Sequence, residues 1–139
     1  MMSLFDVAGT QTIGRFINPV DGTAASNNSY AWNDPVGASG RLSQFIIYAH
    51  AGGTLQLARY VKSGSTLTRV GLSSVVTIGS AGLKTLTAAD YGTFSVNAGD
   101  YLAVYCNGVL AFNEATADGG GWFNFASGLP ASGTAGTLD

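Results

Sequence analysis

Few side chains in this sequence are equipped for acid–base, nucleophilic or metal chemistry. There is one histidine, His50, one cysteine, Cys106, one glutamate, Glu114, and seven aspartates. A Ser–His–Asp triad needs a histidine base in hydrogen-bond contact with its nucleophile. His50 is the only candidate, and it sits beside Gly52-Gly53 at a predicted strand end, where a solvated turn residue is expected. No Gly-x-Ser-x-Gly elbow accompanies it. A thiol mechanism would pair Cys106 with His50. Cys106 falls in an apolar run, where an inert buried thiol is the ordinary outcome. Glycoside hydrolysis needs two carboxyl groups across the scissile bond. Glu114 and Asp118 share the loop 113–121, with Asp21 or Asp34 as distant partners. Acids in glycine-rich loops usually serve solvation and turn geometry. The inventory predicts a protein that is not an enzyme.

Metal chemistry fares little better. One histidine and one cysteine disfavour zinc. A structural calcium would draw on Asn113, Glu114 and Asp118, or on Asp21, Asn27, Asn28, Asn33 and Asp34, but no calcium-loop spacing is visible. The expectation is no cofactor, with calcium as the one alternative.

Carbohydrate recognition is a sharper hypothesis. Sugars present an apolar face, which aromatic rings cover, and a rim of hydroxyls, which amides and carboxylates bond. Two places combine these groups. One is Tyr30, Trp32, Asn33 and Asp34. The other is Asn113 and Asp118, followed by Trp122 and Asn124. The competing reading is that the aromatics pack in the core.

Composition narrows the partners. The chain has 139 residues, a net charge of −2 and 10% charged residues, against about 25% in an ordinary domain. Its six basic residues are scattered, so no stripe exists to displace counterions from phosphates. Nucleic acid and anionic membranes are excluded as expected partners. Residues 1–15 lack the charged start and apolar core of a signal peptide. No apolar run reaches the roughly 18 residues of a membrane-spanning helix.

The elements that must position these groups are short strands between turn residues. Twenty glycines punctuate the chain, as they do in sandwich sequences. Residues 4–7 and 12–18 are predicted strands, 23–29 a loop, and Tyr30–Trp32 a short strand ended by Pro35. Residues 41–49 form a strand with Phe45, Ile47 and Ala49 on one face. A turn follows at 50–53. The return strand, 54–62, places Leu55, Leu57 and Val61 on one face and Tyr60 on the other. Ser63-Gly64-Ser65 reads as a hairpin loop. Residues 66–78 form one or two strands with a bulge at Gly71. Strands follow at 82–87, 94–96 and 101–106, with a turn at Asn97–Asp100. Leu102, Val104 and Cys106 share one face. Asn107-Gly108 signals a hairpin turn back through Val109–Phe112. Trp122–Phe125 is the last predicted strand. The domain is expected to span 1–125, with 126–139 a Gly/Ala/Ser/Thr-rich tail or linker.

The order from Gln44 to Tyr105 resembles a known kind of module. A strand leads to Gly52-Gly53-Thr54-Leu55-Gln56-Leu57, then to the Lys62-Ser63-Gly64-Ser65-Thr66 hairpin and Val70-Gly71. Ala81-Gly82-Leu83-Lys84-Thr85 and Val96-Asn97-Ala98-Gly99-Asp100-Tyr101 complete it. This resembles the jelly-roll β-sandwich modules of bacteriophage tail fibres and tailspikes, and those appended to bacterial glycan-degrading enzymes. The Ala98-Gly99-Asp100-Tyr101 turn is also similar to that of trimeric C1q- and tumour-necrosis-factor-like jelly rolls. The resemblance implies a receptor- or glycan-binding module, often trimeric, and transfers no particular binding residue.

The resulting expectation is an all-β antiparallel sandwich of jelly-roll type, with about eight to ten strands. Its expected work is non-catalytic binding of a glycan or cell-surface polysaccharide, outside the cell or on a virion. The alternative is a structural oligomerisation domain, a trimer being favoured. On that reading Tyr48, Tyr60, Tyr101 and Tyr105 include interface residues.

Overall fold

The structure, a computed structural model, describes residues 3–7, 11–14, 23–25, 28–32, 35–112, 122–125, 129 and 132–134, with side chains over 35–47, 49, 51–107 and at 129. The protein is all-β, with antiparallel pairing. Among the described residues there are twelve strands and one short helix. They are β1 (Ser3–Val7), β2 (Gln11–Gly14), β3 (Thr23–Ala25), β4 (Asn28–Trp32), β5 (Gly40–Ser63), β6 (Thr66–Leu72), β7 (Val76–Ile78), β8 (Gly82–Thr87), α1 (Ala88–Tyr91), β9 (Ser95–Val96), β10 (Tyr101–Phe112), β11 (Trp122–Phe125) and β12 (Ser132–Thr134). Part of the expected loop 23–29 is therefore strand, because Thr23–Ala25 pair with Leu110–Phe112.

Two expected turns are not turns. β5 runs through Gly52-Gly53, and β10 runs through Asn107-Gly108. The reason is non-local. Gly108 pairs with Gly53 and Asn107 with Thr54, so each strand holds the other extended where local propensity favours reversal. The register slips between Gly108 and Leu110, which leaves an irregularity at that level.

β5 orders everything else. The chain reverses at Gly64, whose φ of 60° suits glycine, and returns along one edge of β5. The returning arm is β6, β7, β8 and β9 in succession. One register holds from Leu55↔Val76 to Gln44↔Thr87. The predicted bulge at Gly71 is present. Pairing slips between Arg59 and Tyr60, and a Cβ on Gly71 would lie 2.8 Å from Arg59 Nε. The other edge of β5 carries β1 along Leu42–Ile47 and β10 along Ala49–Tyr60.

This long hairpin is folded over. Val36 and Arg59 would be about 75 Å apart along an extended chain. Yet Val36 N donates to the Asp100 carbonyl at 2.8 Å, and Arg59 Nη1 donates to Asp100 Oδ2 at 3.0 Å. Tyr91 ties the same halves together. Its hydroxyl donates to the Leu42 carbonyl at 2.8 Å, and its own carbonyl accepts from Ser74 N at 3.1 Å. Between the halves lies the main core, which includes Val36, Leu42, Phe45, Ile47, Leu55, Leu57, Val76, Tyr91, Phe94, Leu102, Val104 and Cys106.

A second cluster on the opposite face explains a further difference. Ala58, Tyr60, Leu67 and Ala103 are fully buried there, with Tyr101 and Leu129 packed against them. The expected apolar face Leu55–Leu57–Val61 therefore ends at Leu57. Val61 is 45% exposed while Tyr60 is 0% exposed. Leu129 and β12 both fall in the Gly/Ala/Ser/Thr-rich segment 126–139, and β12 pairs with β6. The helix α1 starts at a capping box. Thr87 Oγ1 accepts from Ala89 N at 3.3 Å, and Asp90 Oδ2 accepts from Thr87 N at 2.9 Å.

Gly52 and Gly79 make a test of the fold. A Cβ on Gly52 would lie 3.0 Å from the Ile78 carbonyl oxygen and 3.2 Å from that of Gly79, both backbone atoms. A Cβ on Gly79 meets nothing within 4 Å. Gly52→Val is expected to lower stability by about 1–3 kcal/mol, and Gly79→Ala by far less, in urea unfolding. Equal effects would contradict this packing.

Candidate functional site

The polar side chains described in the structure mostly hold the chain together. The Arg59–Asp100 pair is the clearest case. Asp100 is 2% exposed, and its Oδ2 also accepts from Asn97 N at 2.8 Å, which closes the turn before β10. Ser73 is buried at the gap between β6 and β7. Its Oγ accepts from Leu57 N at 2.9 Å and donates to the Ser74 carbonyl at 2.8 Å, while Gln56 Nε2 donates to the Ser73 carbonyl at 2.8 Å. Lys84 Nζ donates to Ser80 Oγ at 3.2 Å.

Cys106 is fully buried in the main core, and burial pushes its thiol well above the ordinary range. A thiol held protonated this way is a poor nucleophile. The side chain of His50 lies outside the described ones. Among the described residues no three His, Cys, Asp or Glu side chains gather in a metal-sized group. Asn33, Asp34, Asn113, Glu114 and Asp118, like Asp21 and Asn27, lie outside the described residues.

Four of the sequence-predicted site residues are brought together. β4 and β11 pair in register, with Trp32 opposite Trp122, Ala31 opposite Phe123, Tyr30 opposite Asn124 and Ser29 opposite Phe125. Residues directly opposite in an antiparallel pair share a face, and so do residues two apart. Positions 30, 32, 122 and 124 thus form one ladder on two adjacent strands. The two aromatic-and-amide clusters, separate in sequence, are one place in the fold. The ladder's inner neighbour is β10, where Tyr30 is opposite Val104 and Asn28 opposite Cys106. It therefore continues the face that Leu102, Val104 and Cys106 give to the main core. Its outer side is β11, at the end of the strand order among the described residues.

The opposite face of β10 carries Tyr101 and Tyr105, two of the four tyrosines on which an oligomer interface would draw in the alternative reading. Tyr101 and Tyr105 are half-buried on either side of Ala103. Lys62 Nζ lies 5.6 Å from the Tyr101 ring centroid, within reach of a cation–π contact. Arg69, opposite Tyr60, donates through Nη1 to the Leu129 carbonyl. Lys62 and Arg69 were missed as members of this face. The signal was present in the alternation Tyr60–Lys62 and Leu67–Arg69, but it showed only once Tyr60 was known to be buried.

Burial pushes the Tyr60 hydroxyl up to about 12, and the Arg69 charge opposes that shift. The unfolded chain ionises Tyr60 near its ordinary value of about 10. The stabilising contribution is therefore complete below pH 10 and is lost as pH rises toward 12. The loss is expected to be about 2–3 kcal/mol. Unfolding free energies measured across this window should fall less steeply for Tyr60→Phe than for the unaltered chain. Parallel profiles would show that Tyr60 is not the group responsible.

Comparison of the chain with protein-family models, with curated proteins and with solved structures found no match in any of the three.

Proposed function

We propose that this chain is a non-catalytic binding module of jelly-roll type that recognises a glycan or a glycan-bearing receptor, outside the cell or on a virion. The observation that carries the reading is the β4–β11 register. It gathers positions Tyr30, Trp32, Trp122 and Asn124 into one aromatic-and-amide ladder that ends on the last strand of the order among the described residues. Rings with adjacent amide groups are the chemistry that a sugar's apolar face and hydroxyl rim require. The jelly-roll part of the reading is supported by the long antiparallel hairpin folded over its own core. The non-catalytic part is supported by the buried, protonated Cys106 and by the structural employment of Arg59, Asp100 and Ser73. The sequence resemblance to phage tail and carbohydrate-binding modules points the same way.

A second reading, assembly into a homo-oligomer with a trimer favoured, draws on a different observation. Val61, Val70, Leu72, Val75 and Leu83 are all exposed, Leu83 by 59%, in a chain with few charges to keep copies apart.

Bacterial surface polysaccharides titrated against tryptophan fluorescence test the first reading. The expected outcome is a saturable change in emission. Trp122→Ala should weaken binding about tenfold or more while leaving the melting temperature near that of the unaltered chain. An unchanged spectrum across a polysaccharide panel would reject glycan recognition at the ladder. A Trp122→Ala variant that loses stability and keeps affinity would assign the ladder to the core.

A further inference from the structure

The arm that returns along β5 carries an uncharged, strand-forming run. Residues 70–83 hold no charged side chain and include Val70, Leu72, Val75, Val76, Ile78 and Leu83; Arg69 and Lys84 bound the run. Among the described residues, β7 and β8 pair with β5 alone. A strand paired on one side presents a row of backbone donors and acceptors to any strand that arrives on the other. Along most of the arm that row is closed or cut short. β12 pairs with Thr66–Thr68 of β6. The Tyr91 carbonyl accepts from Ser74 N at 3.1 Å. β7 is only three residues long. β8 differs. Its six residues keep one unbroken register with β5, and Leu83, Thr85 and Thr87 are exposed.

Lys84 lies in the middle of β8, on the face where a lysine is least expected. It is opposite Ile47 and two residues from Leu86, and both of these belong to the main core. Side chains alternate along a strand, so Lys84 shares the core-facing side while Leu83 and Thr85 share the outer one. Lys84 is half-buried, and its Nζ donates to Ser80 Oγ at 3.2 Å. At the margin of a layer this placement is tolerable, because the aliphatic stem covers apolar surface while the ammonium reaches water. One strand further in it would not be. A strand added to β8 would put a residue directly opposite Lys84 and take its ammonium out of water without a countercharge. On the outer face the same strand would cover Leu83, which favours addition. The lysine is therefore the group on β8 that opposes it.

We propose that Lys84 guards the open edge of β8, its charge turned to the core side of an edge strand so that a second copy of the chain does not pair there. The copy excluded is one that would offer its own β8, since two such edges side by side, run antiparallel, supply matching backbone groups and bring two uncharged runs together. The guard concerns this edge alone and does not rest on the glycan or the assembly reading.

Light scattering over a concentration series of the full-length chain tests the guard, with urea unfolding run on the same samples. Lys84→Leu is expected to raise the average mass about twofold or more above that of the unaltered chain, the step from one unit to a pair or beyond. Its urea midpoint should stay at or above that of the unaltered chain, because leucine packs beside Ile47 and Leu86. Lys84→Arg and Lys84→Glu, which keep a charge of either sign at the edge, should keep the unaltered mass. Ser80→Ala, which removes the hydroxyl and leaves the charge, should keep it too. An unchanged mass for Lys84→Leu overturns the proposal. So does association that comes with a lowered urea midpoint, which would assign it to unfolding, and so does a charged variant that associates as Lys84→Leu does.

Discussion

The structure depends on one constraint: a 24-residue strand must have its backbone groups hydrogen-bonded on both edges while it bends far enough to close on itself. Unpaired N–H and C=O groups at this burial would be costly. β5 meets the requirement by pairing with its own continuation on one edge and with β1 and β10 on the other. Gly52-Gly53, Gly79 and Gly108 lie at one level, and a Cβ on Gly52 would press on the neighbouring carbonyls. At Gly52 glycine is needed because backbones approach closely, not because the chain reverses.

Closure then needs a latch between distant segments, and Asp100 supplies it. Its backbone accepts from Val36, before β5, and its carboxylate accepts from Arg59, near the far end of β5. Arg59 reaches it across the space that Gly71 leaves open. The bulge at Gly71 and the turn at Asn97–Asp100 are therefore parts of one device. A charge pair is an unusual choice for a chain with so few charges. Its geometry suits the location, since Arg59 remains partly exposed while Asp100 Oδ2 also accepts from the backbone N–H of Asn97. Apolar residues at these positions could not tie these distant segments together with the same directionality.

Much of this was legible in the sequence. The faces Phe45–Ile47–Ala49 and Leu102–Val104–Cys106 follow from alternation, and both lie in the main core. The Gly64 hairpin and the Asn97–Asp100 turn were likewise readable from their residues. The errors share a cause. Gly52-Gly53 and Asn107-Gly108 carry strong local turn signals, and each is overridden by the strand pairing the other provides. The phase held a clue, because Phe45, Ile47, Ala49, Leu55 and Leu57 keep one parity through the glycine pair, as a reversal need not. The switch from Leu57 to Tyr60 was not legible, since it requires a second covered face. The α1 capping box, Thr87 with Asp90, was present in the sequence but too short a helix follows for any periodicity to show. The two halves of the ladder were each visible as aromatic-and-amide clusters. Their pairing joins residues some ninety positions apart, and no local rule links them.

The two faces of β10 end up with different characters. One face, through Val104 and Cys106, feeds the main core and extends laterally into the Tyr30–Asn124 ladder. The other, through Ala103, is floored by small residues, flanked by Tyr101 and Tyr105, and partly covered by Leu129. Among the described residues the central strand β10 is thus covered on both faces, by the main core on one and by the second cluster on the other.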